Sequence, residues 1–310
     1  MGTPDFAVES LKQILNNGIE VAGVITAPDR KSGRGQKINE SSVKKFAKEK
    51  DLNILQPENL KDEGFQKDLR DLNADLFVVV AFRMLPESVW GMPPMGTINL
   101  HGSLLPQYRG AAPINWAVMN GDVKTGATTF FIEKEIDTGK IIDSVEIDIA
   151  ETDSAGDVHD HLMVKGAELL SQTVQNIFDG NIEAKDQMSL AEGLELRPAP
   201  KIFKDDCLID WKKSVQHIYN KIRGLSPYPT AWTVLYSEKG KKSLKIFSAE
   251  KQITQSDNSG QLIVENDKVL FGCVDGWILP SIIQLEGKKK MAVKDVMNGF
   301  DFNQWKLTEA

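Results

Sequence analysis

Cysteine is scarce in this chain. Only Cys207 and Cys273 occur among 310 residues. Two thiols are too few for a disulfide framework, and neither has metal-ligand spacing. Histidine is also rare, with four residues. His159 and His161 stand two apart in a helix-like stretch, and such a pair does not share a helix face. They make a poor metal site and read as solvated or half-packed side chains, so no metal is expected. No apolar run approaches the roughly 20 residues that span a bilayer. The N-terminal residues form neither a basic-then-apolar signal segment nor an Arg-rich transit peptide. The expectation is a monomer in a reducing cytoplasm, with no membrane partner.

Positive charge is in short supply too, but unevenly. The net charge is −7. Residues 1–200 hold 20 Lys and Arg against 31 Asp and Glu, a net of −11, whereas residues 201–310 are +4. A basic end on an acidic body suits an anionic partner held at that end, or simply a solvated surface.

What is present is an ordinary globular composition, 41% apolar, in a length that suggests about two domains. Asp5 can cap a first helix, with Phe6, Leu11 and Ile14 on its apolar side. Ile19–Thr26 and Ala74–Phe82 read as buried parallel strands, Leu52–Pro57 as a shorter one. Ser41–Lys50 and Asn59–Leu72 lean towards helix between them. Strands alternating with helices predict a doubly wound, mostly parallel α/β sheet. Gly126–Ile132 and Lys140–Ile149 read as further strands, and Asp153 or Ser154 starts a long helix ending near Gly180. Residues 181–200, with two Pro, read as an extended linker. Beyond it, Asp205–Leu235 suggests a short helix and a turn. Ser243–Lys251, Gly260–Asn266, Lys268–Gly276 and Trp277–Met291 read as closely spaced strands of a small barrel. The expected division is a catalytic domain 1–180, a linker 181–200 and a domain 201–310.

The chemistry concentrates in TINLHGSLLPQYRGAAPINW, Thr97–Trp116. Asn99 and His101 alternate along a short strand, so both face one side. They sit at its carboxyl end, where open α/β sheets bind ligands. Gly102, Pro106 and Gly110 punctuate the loop that follows, and a helix is expected from Ala112 to Asn120. After another apolar run, the loop EIDTGK brings Asp137. An amide can donate to a developing oxyanion, an imidazole can carry a proton, and a carboxylate can orient the imidazole.

INLHGSLLPQYRGAAPINW followed by IDTGKII resembles the formyltransferases that use 10-formyl-tetrahydrofolate. The resemblance covers nearly the whole chain and is most specific over Asn99–Trp116. It implies that Asn99, His101 and Asp137 are catalytic. It implies that Ser103, Leu104, Leu105 and Pro106 form the folate-binding turn, and that the C-terminal domain is an OB-like barrel. No metal is implied. Within the family the chain resembles the branch whose acceptor is initiator methionyl-tRNA. That branch carries a short apolar strand before the GTPDF loop, and without it neighbouring strand edges should be exposed.

The loop Asp29–Lys37 holds Arg30, Lys31, Arg34 and Lys37 against one acid. It fits neither the P-loop nor the dinucleotide fingerprint. It resembles the loop with which that branch grips the tRNA acceptor stem, which implies tRNA contacts from Arg30, Arg34 and Lys37, chiefly Arg34. Two rivals remain at this point. One is a related enzyme that formylates a sugar nucleotide. The other is an RNA-binding protein with a dead catalytic centre, against which the intact Asn99, His101 and Asp137 argue.

Overall fold

A computed structural model describes residues 1–32, 37–238 and 240–307. The chain opens with helix α1 (Asp5–Asn16), strands β1 (Val24–Ile25), β2 (Arg30–Ser32) and β3 (Lys37–Asn39), and helix α2 (Ser42–Glu49). Next come β4 (Ile54–Leu55), α3 (Glu63–Asp71), β5 (Phe77–Val80), α4 (Glu87–Trp90) and β6 (Thr97–His101). They are followed by α5 (Pro113–Met119), β7 (Lys124–Phe131), β8 (Ile141–Asp148), α6 (Ala155–Phe178) and α7 (Gln187–Ala191). The rest is α8 (Val215–Gly224), β9 (Ala231–Ser237), β10 (Gly240–Ile253), β11 (Leu262–Glu265), β12 (Lys268–Cys273), β13 (Gly276–Leu285), β14 (Met291–Ala292) and α9 (Val293–Met297).

These elements form two compact units. The first comprises Met1–Gly110, Gly126–Ile147 and Asp160–Pro198, the second Ala111–Thr125, Asp148–His159 and Ala199–Ala310. The division expected from sequence is therefore redrawn. Residues 181–198 are not a free linker but part of the first unit. Lys185 and Ile141 exchange backbone hydrogen bonds of 2.8 and 2.9 Å.

In the first unit β1 pairs with β4 and β5 with β6, both in parallel, while β6 and β7 run antiparallel with His101 opposite Thr128. β8 lies beyond β7. Short polar residues start the helices as their chemistry requires: Ser41 accepts from Lys44 N–H at 3.0 Å, and Asp62 from Phe65 N–H at 2.8 Å. Asp5 is not the cap of α1. Pro4 occupies that position, and Asp5 lies in the first turn, where a carboxylate suits the helix dipole.

The expected strands Ile19–Thr26 and Ala74–Phe82 are regular only at Val24–Ile25 and Phe77–Val80. β1 has its partner in β4 and β5 in β6, and on their other edges Met1 and Gly2 bridge the two. Met1 N donates to Val78 O, Val80 N–H to Met1 O and Gly2 N–H to Ile25 O, at 2.7, 2.9 and 3.0 Å. Ile19–Gly23 and Ala74–Leu76, beyond this bridge, line a cavity of about 610 Å³.

The second unit is built on the antiparallel sheet β11-β12-β13-β10-β9, with β14 on β13. It curls into a half-barrel. Residues 231–237, not read as a strand, form β9. Leu244, Ile246, Phe271 and Ile278 face the core, where the Trp211 ring meets Phe271 edge-on at 5.3 Å and its N–H donates to Thr233 Oγ1. Pro280 in β13 is tolerated because it lies opposite a register shift in β10, where the ladder needs fewer donors.

Candidate active site

His101 ends β6 and is buried, 6% exposed. Strand alternation puts half-buried Asn99 on the same face. The His101 ring has two neighbours. Nε2 lies 2.9 Å from Tyr108 O, and Nδ1 lies 3.7 Å from Asp137 Oδ2. A carbonyl only accepts, so Nε2 must carry the proton in that contact. In the neutral ring Nδ1 then bears the lone pair. The 3.7 Å separation exceeds a hydrogen bond, so in this structure the Tyr108 carbonyl fixes the ring and Asp137 contributes as a nearby charge.

Two residues reach these positions through the left-handed backbone region: Asp137 at φ 55° and Tyr108 at φ 59°. Asp tolerates that region, whereas Tyr is strained there. Both are held from several sides. Gly110 N–H donates to Asp137 Oδ2 at 2.9 Å. Tyr108 N–H donates to Arg197 O at 2.8 Å, and the Arg197 guanidinium lies 5.2 Å above the Tyr108 ring.

The turn Ser103–Pro106 is braced from β7. Thr128 Oγ1 donates to Ser103 O at 2.7 Å and accepts from Leu105 N–H at 3.1 Å. Ser103 Oγ donates to Gln107 O at 2.6 Å. Ser103, Leu105 and Pro106 are buried, and Leu104 is half-buried. Of the four, Leu104 is the one whose side chain is not already enclosed.

Arg30 and Lys37 lie on a different element. The stretch read as a loop contains the antiparallel pair β2–β3, Arg30 opposite Asn39 and Ser32 opposite Lys37. Arg34 lies outside the described residues. At the base of this hairpin Asp29 accepts from Lys44 at 2.6 Å and Gln56 at 2.9 Å. The Gln56 bond first, then Lys44, lowers its carboxyl below the usual range. His159 is half-exposed and His161 exposed on α6. Among the described residues no group of three or more His, Cys, Asp or Glu could hold a metal.

Sequence reasoning overlooked Tyr108, Gly110, Thr128 and Gln187. Gly110 stands in the motif and could have been weighed. Gln187 follows Asp186, a detectable helix cap that accepts from Met188 N–H at 2.7 Å, but nothing marks its amide as buried.

Residues 1–174 match the formyl transferase family, and residues 201–301 match the formyl transferase C-terminal domain. The chain belongs to the formyl transferase family. A methionyl-tRNA formyltransferase of Parabacteroides distasonis is 54% identical over 305 residues, 97% of this chain and 94% of the relative. One from Bacteroides thetaiotaomicron is 52% identical over 303 residues, again 97% and 94%. Among solved structures, this formyl transferase superposes on the N-formyltransferase from Helicobacter canadensis in complex with folinic acid and dTDP-3-aminofucose. The TM-score is 0.63 at 21% identity, covering 90% of this chain and 96% of that one. At that identity the likeness speaks for the fold alone. No described helix of the formyl transferase is long and apolar enough to cross a membrane.

Proposed function

We propose that this formyl transferase moves a formyl group from 10-formyl-tetrahydrofolate to the free amino group of initiator methionyl-tRNA. The observation that carries the reading is the identity of 54% to a methionyl-tRNA formyltransferase across 97% of the chain. The site geometry supports the chemistry. The folate would supply a formyl group on a nitrogen that can leave once protonated.

Attack by the methionyl amine on the formyl carbon generates an oxyanion and an acidic N–H. Asn99 donates to the oxyanion. Removing such a donor costs about 10²–10³-fold in turnover. His101 takes the amine proton on Nδ1, because Nε2 is committed to Tyr108 O. The Asp137 carboxylate, 3.7 Å away, stabilises the imidazolium. His101 then returns the proton to the folate nitrogen as the C–N bond breaks. The proton thus passes from amine to leaving group, with no net change on the protein. Thr128 holds the Ser103–Pro106 turn in shape for the folate, with Leu104 offering the apolar contact.

Arg30, Arg34 and Lys37 carry the charge for the acceptor-end phosphates, and Arg34 between two glycines can also stack on a base. The basic residues after 200 add sequence-tolerant phosphate contacts.

The test offers labelled 10-formyl-tetrahydrofolate with charged initiator tRNA in one arm and an amino-sugar nucleotide in the other. Label on methionyl-tRNA is the expected outcome. Label on the sugar nucleotide alone would move the chain to the rival branch, and label on neither would overturn the transferase reading.

A further inference from the structure

We infer that Gln187 is a positioning residue for Asp137, closing a hydrogen-bonded ring that sets the catalytic carboxylate beside His101. Gln187 begins α7, and that short helix buries the wrong residue for an apolar anchor. Met188 is 71% exposed and Leu190 41%, whereas Gln187 is 1% exposed. Burying an amide is unfavourable unless its hydrogen bonds are made. Here all of them are. Gln187 Oε1 accepts from Arg109 Nε at 3.0 Å and Nη2 at 2.7 Å. Its Nε2 donates to Asp137 O at 3.0 Å and Gly139 O at 2.7 Å. The orientation of the amide is unambiguous, because a guanidinium only donates and the two carbonyls only accept.

The partners explain what the amide does. Asp137 is gripped twice: its carbonyl by Gln187, and its Oδ2 by Gly110 N–H. Arg109, which holds Gln187, is the residue next to Gly110. The path Asp137 carboxylate, Gly110, Arg109, Gln187, Asp137 carbonyl therefore closes on itself. The same Oδ2 stands 3.7 Å from His101 Nδ1. The double grip selects the left-handed backbone, which Asp137 tolerates but does not require, over the alternatives open to it. Released at the carbonyl, the residue is free to relax and carry Oδ2 away from the imidazole.

This inference rests on the formyl-transfer reading, so the parent enzyme is assayed first. A parent that does not formylate methionyl-tRNA defeats that reading before any variant is examined. With an active parent, Gln187→Met and Gln187→Glu are compared with it at saturating 10-formyl-tetrahydrofolate from about pH 6 to 9. The Met variant keeps the bulk of the side chain and removes its polarity. The Glu variant keeps the Arg109 contact but turns an acceptor towards Asp137 O and Gly139 O.

Both should lose about tenfold or more in kcat, since displacements near 1 Å at a reacting site have effects of that size. The KM for the folate should stay within about twofold, because uniform binding is untouched. The shape of the pH–rate profile should change as well. A merely structural role lowers the amount of folded enzyme and scales the whole profile by one factor. Parental kcat in Gln187→Glu, or a profile that only scales, overturns the inference. Should Gln187→Met fail to fold, the Glu variant decides alone.

Discussion

Replacing Gly139 with Ala tests the site through its backbone and touches no catalytic group. A Cβ built on Gly139 would lie 1.8 Å from Phe131 O and 2.9 Å from Phe131 C. Real Cβ contacts stay above 3.0 Å, so one backbone must move by about 1 Å. Phe131 cannot be the one that yields. It ends β7, its N–H donates to Lys140 O at 3.0 Å, and the next N–H, from Ile132, donates to Thr97 O on β6 at 2.7 Å. The segment 137–139 has to move instead.

Two bonds from Gln187 end on that segment. Overpacking of this kind costs about 1–3 kcal/mol. Stranding a buried amide adds about 1–3 kcal/mol. The expected loss of stability is about 2–4 kcal/mol after partial relaxation. Turnover should fall about 10²-fold as Oδ2 leaves its place beside His101. Steady-state kinetics and thermal unfolding of Gly139→Ala check both figures. Thr138→Ala, which removes only a hydroxyl bond of 3.2 Å to Glu135 O, serves as the neighbouring control. A Gly139→Ala enzyme with parental kcat and Tm would refute the reasoning, because a methyl group would have been accommodated where the structure leaves no room.

Single changes Asn99→Ala, His101→Ala and Asp137→Asn should each reduce kcat at least about 10²-fold with little change in Tm, and normal turnover in His101→Ala would remove it from proton transfer. Burial, and after it Asp275, raises the Cys273 thiol from its ordinary 9.0 to about 12. The neutral thiol is therefore favoured in the folded state, so its contribution to stability is complete below 9.0 and is lost as pH rises towards about 12. Native protein at about pH 8 should label at neither cysteine until denaturant is added, and rapid native labelling of Cys273 would contradict its burial. Arg34→Ala should weaken methionyl-tRNA use while leaving folate binding unchanged, measured as KM for each substrate; equal tRNA kinetics would return Asp29–Lys37 to an ordinary surface segment.

The legible parts of the chain were those whose side chains announce their work. Asn99 and His101 alternate on a strand because period two leaves no other arrangement, and Ser41 starts α2 as a cap should. β9 was missed for a converse reason. Its buried residues are Ala231, Thr233 and Leu235, while Trp232, Val234 and Tyr236 face the half-exposed side. Apolar residues thus fall on both faces, Leu235 in the core and Trp232 packed against it, and alternation by hydrophobicity gives no signal. Ile19–Thr26 and Ala74–Phe82 were read too long because apolar composition reports burial, whereas a regular strand needs a partner along its length.

Residues 181–198 failed as a linker on the same ground. Gln107 Nε2 donates to Glu195 O at 2.8 Å, and its Oε1 accepts from Arg197 N–H at 2.9 Å. Tyr108 N–H adds its bond to Arg197 O. These bonds tie a polar, aperiodic segment to the loop after β6. Their partners on the segment are backbone groups, which every residue type carries, so no spacing or composition betrays them. The candidate side chains Asn99, His101 and Asp137 stand out in the sequence because chemistry and the family resemblance restrict which residues may serve. Their placement does not, because His101 is fixed by the carbonyl of Tyr108 and Asp137 by the amide of Gly110 and the side chain of Gln187. A variant at Tyr108 that keeps its carbonyl in place should accordingly preserve the His101 contact, whereas one that frees its left-handed backbone should lose it.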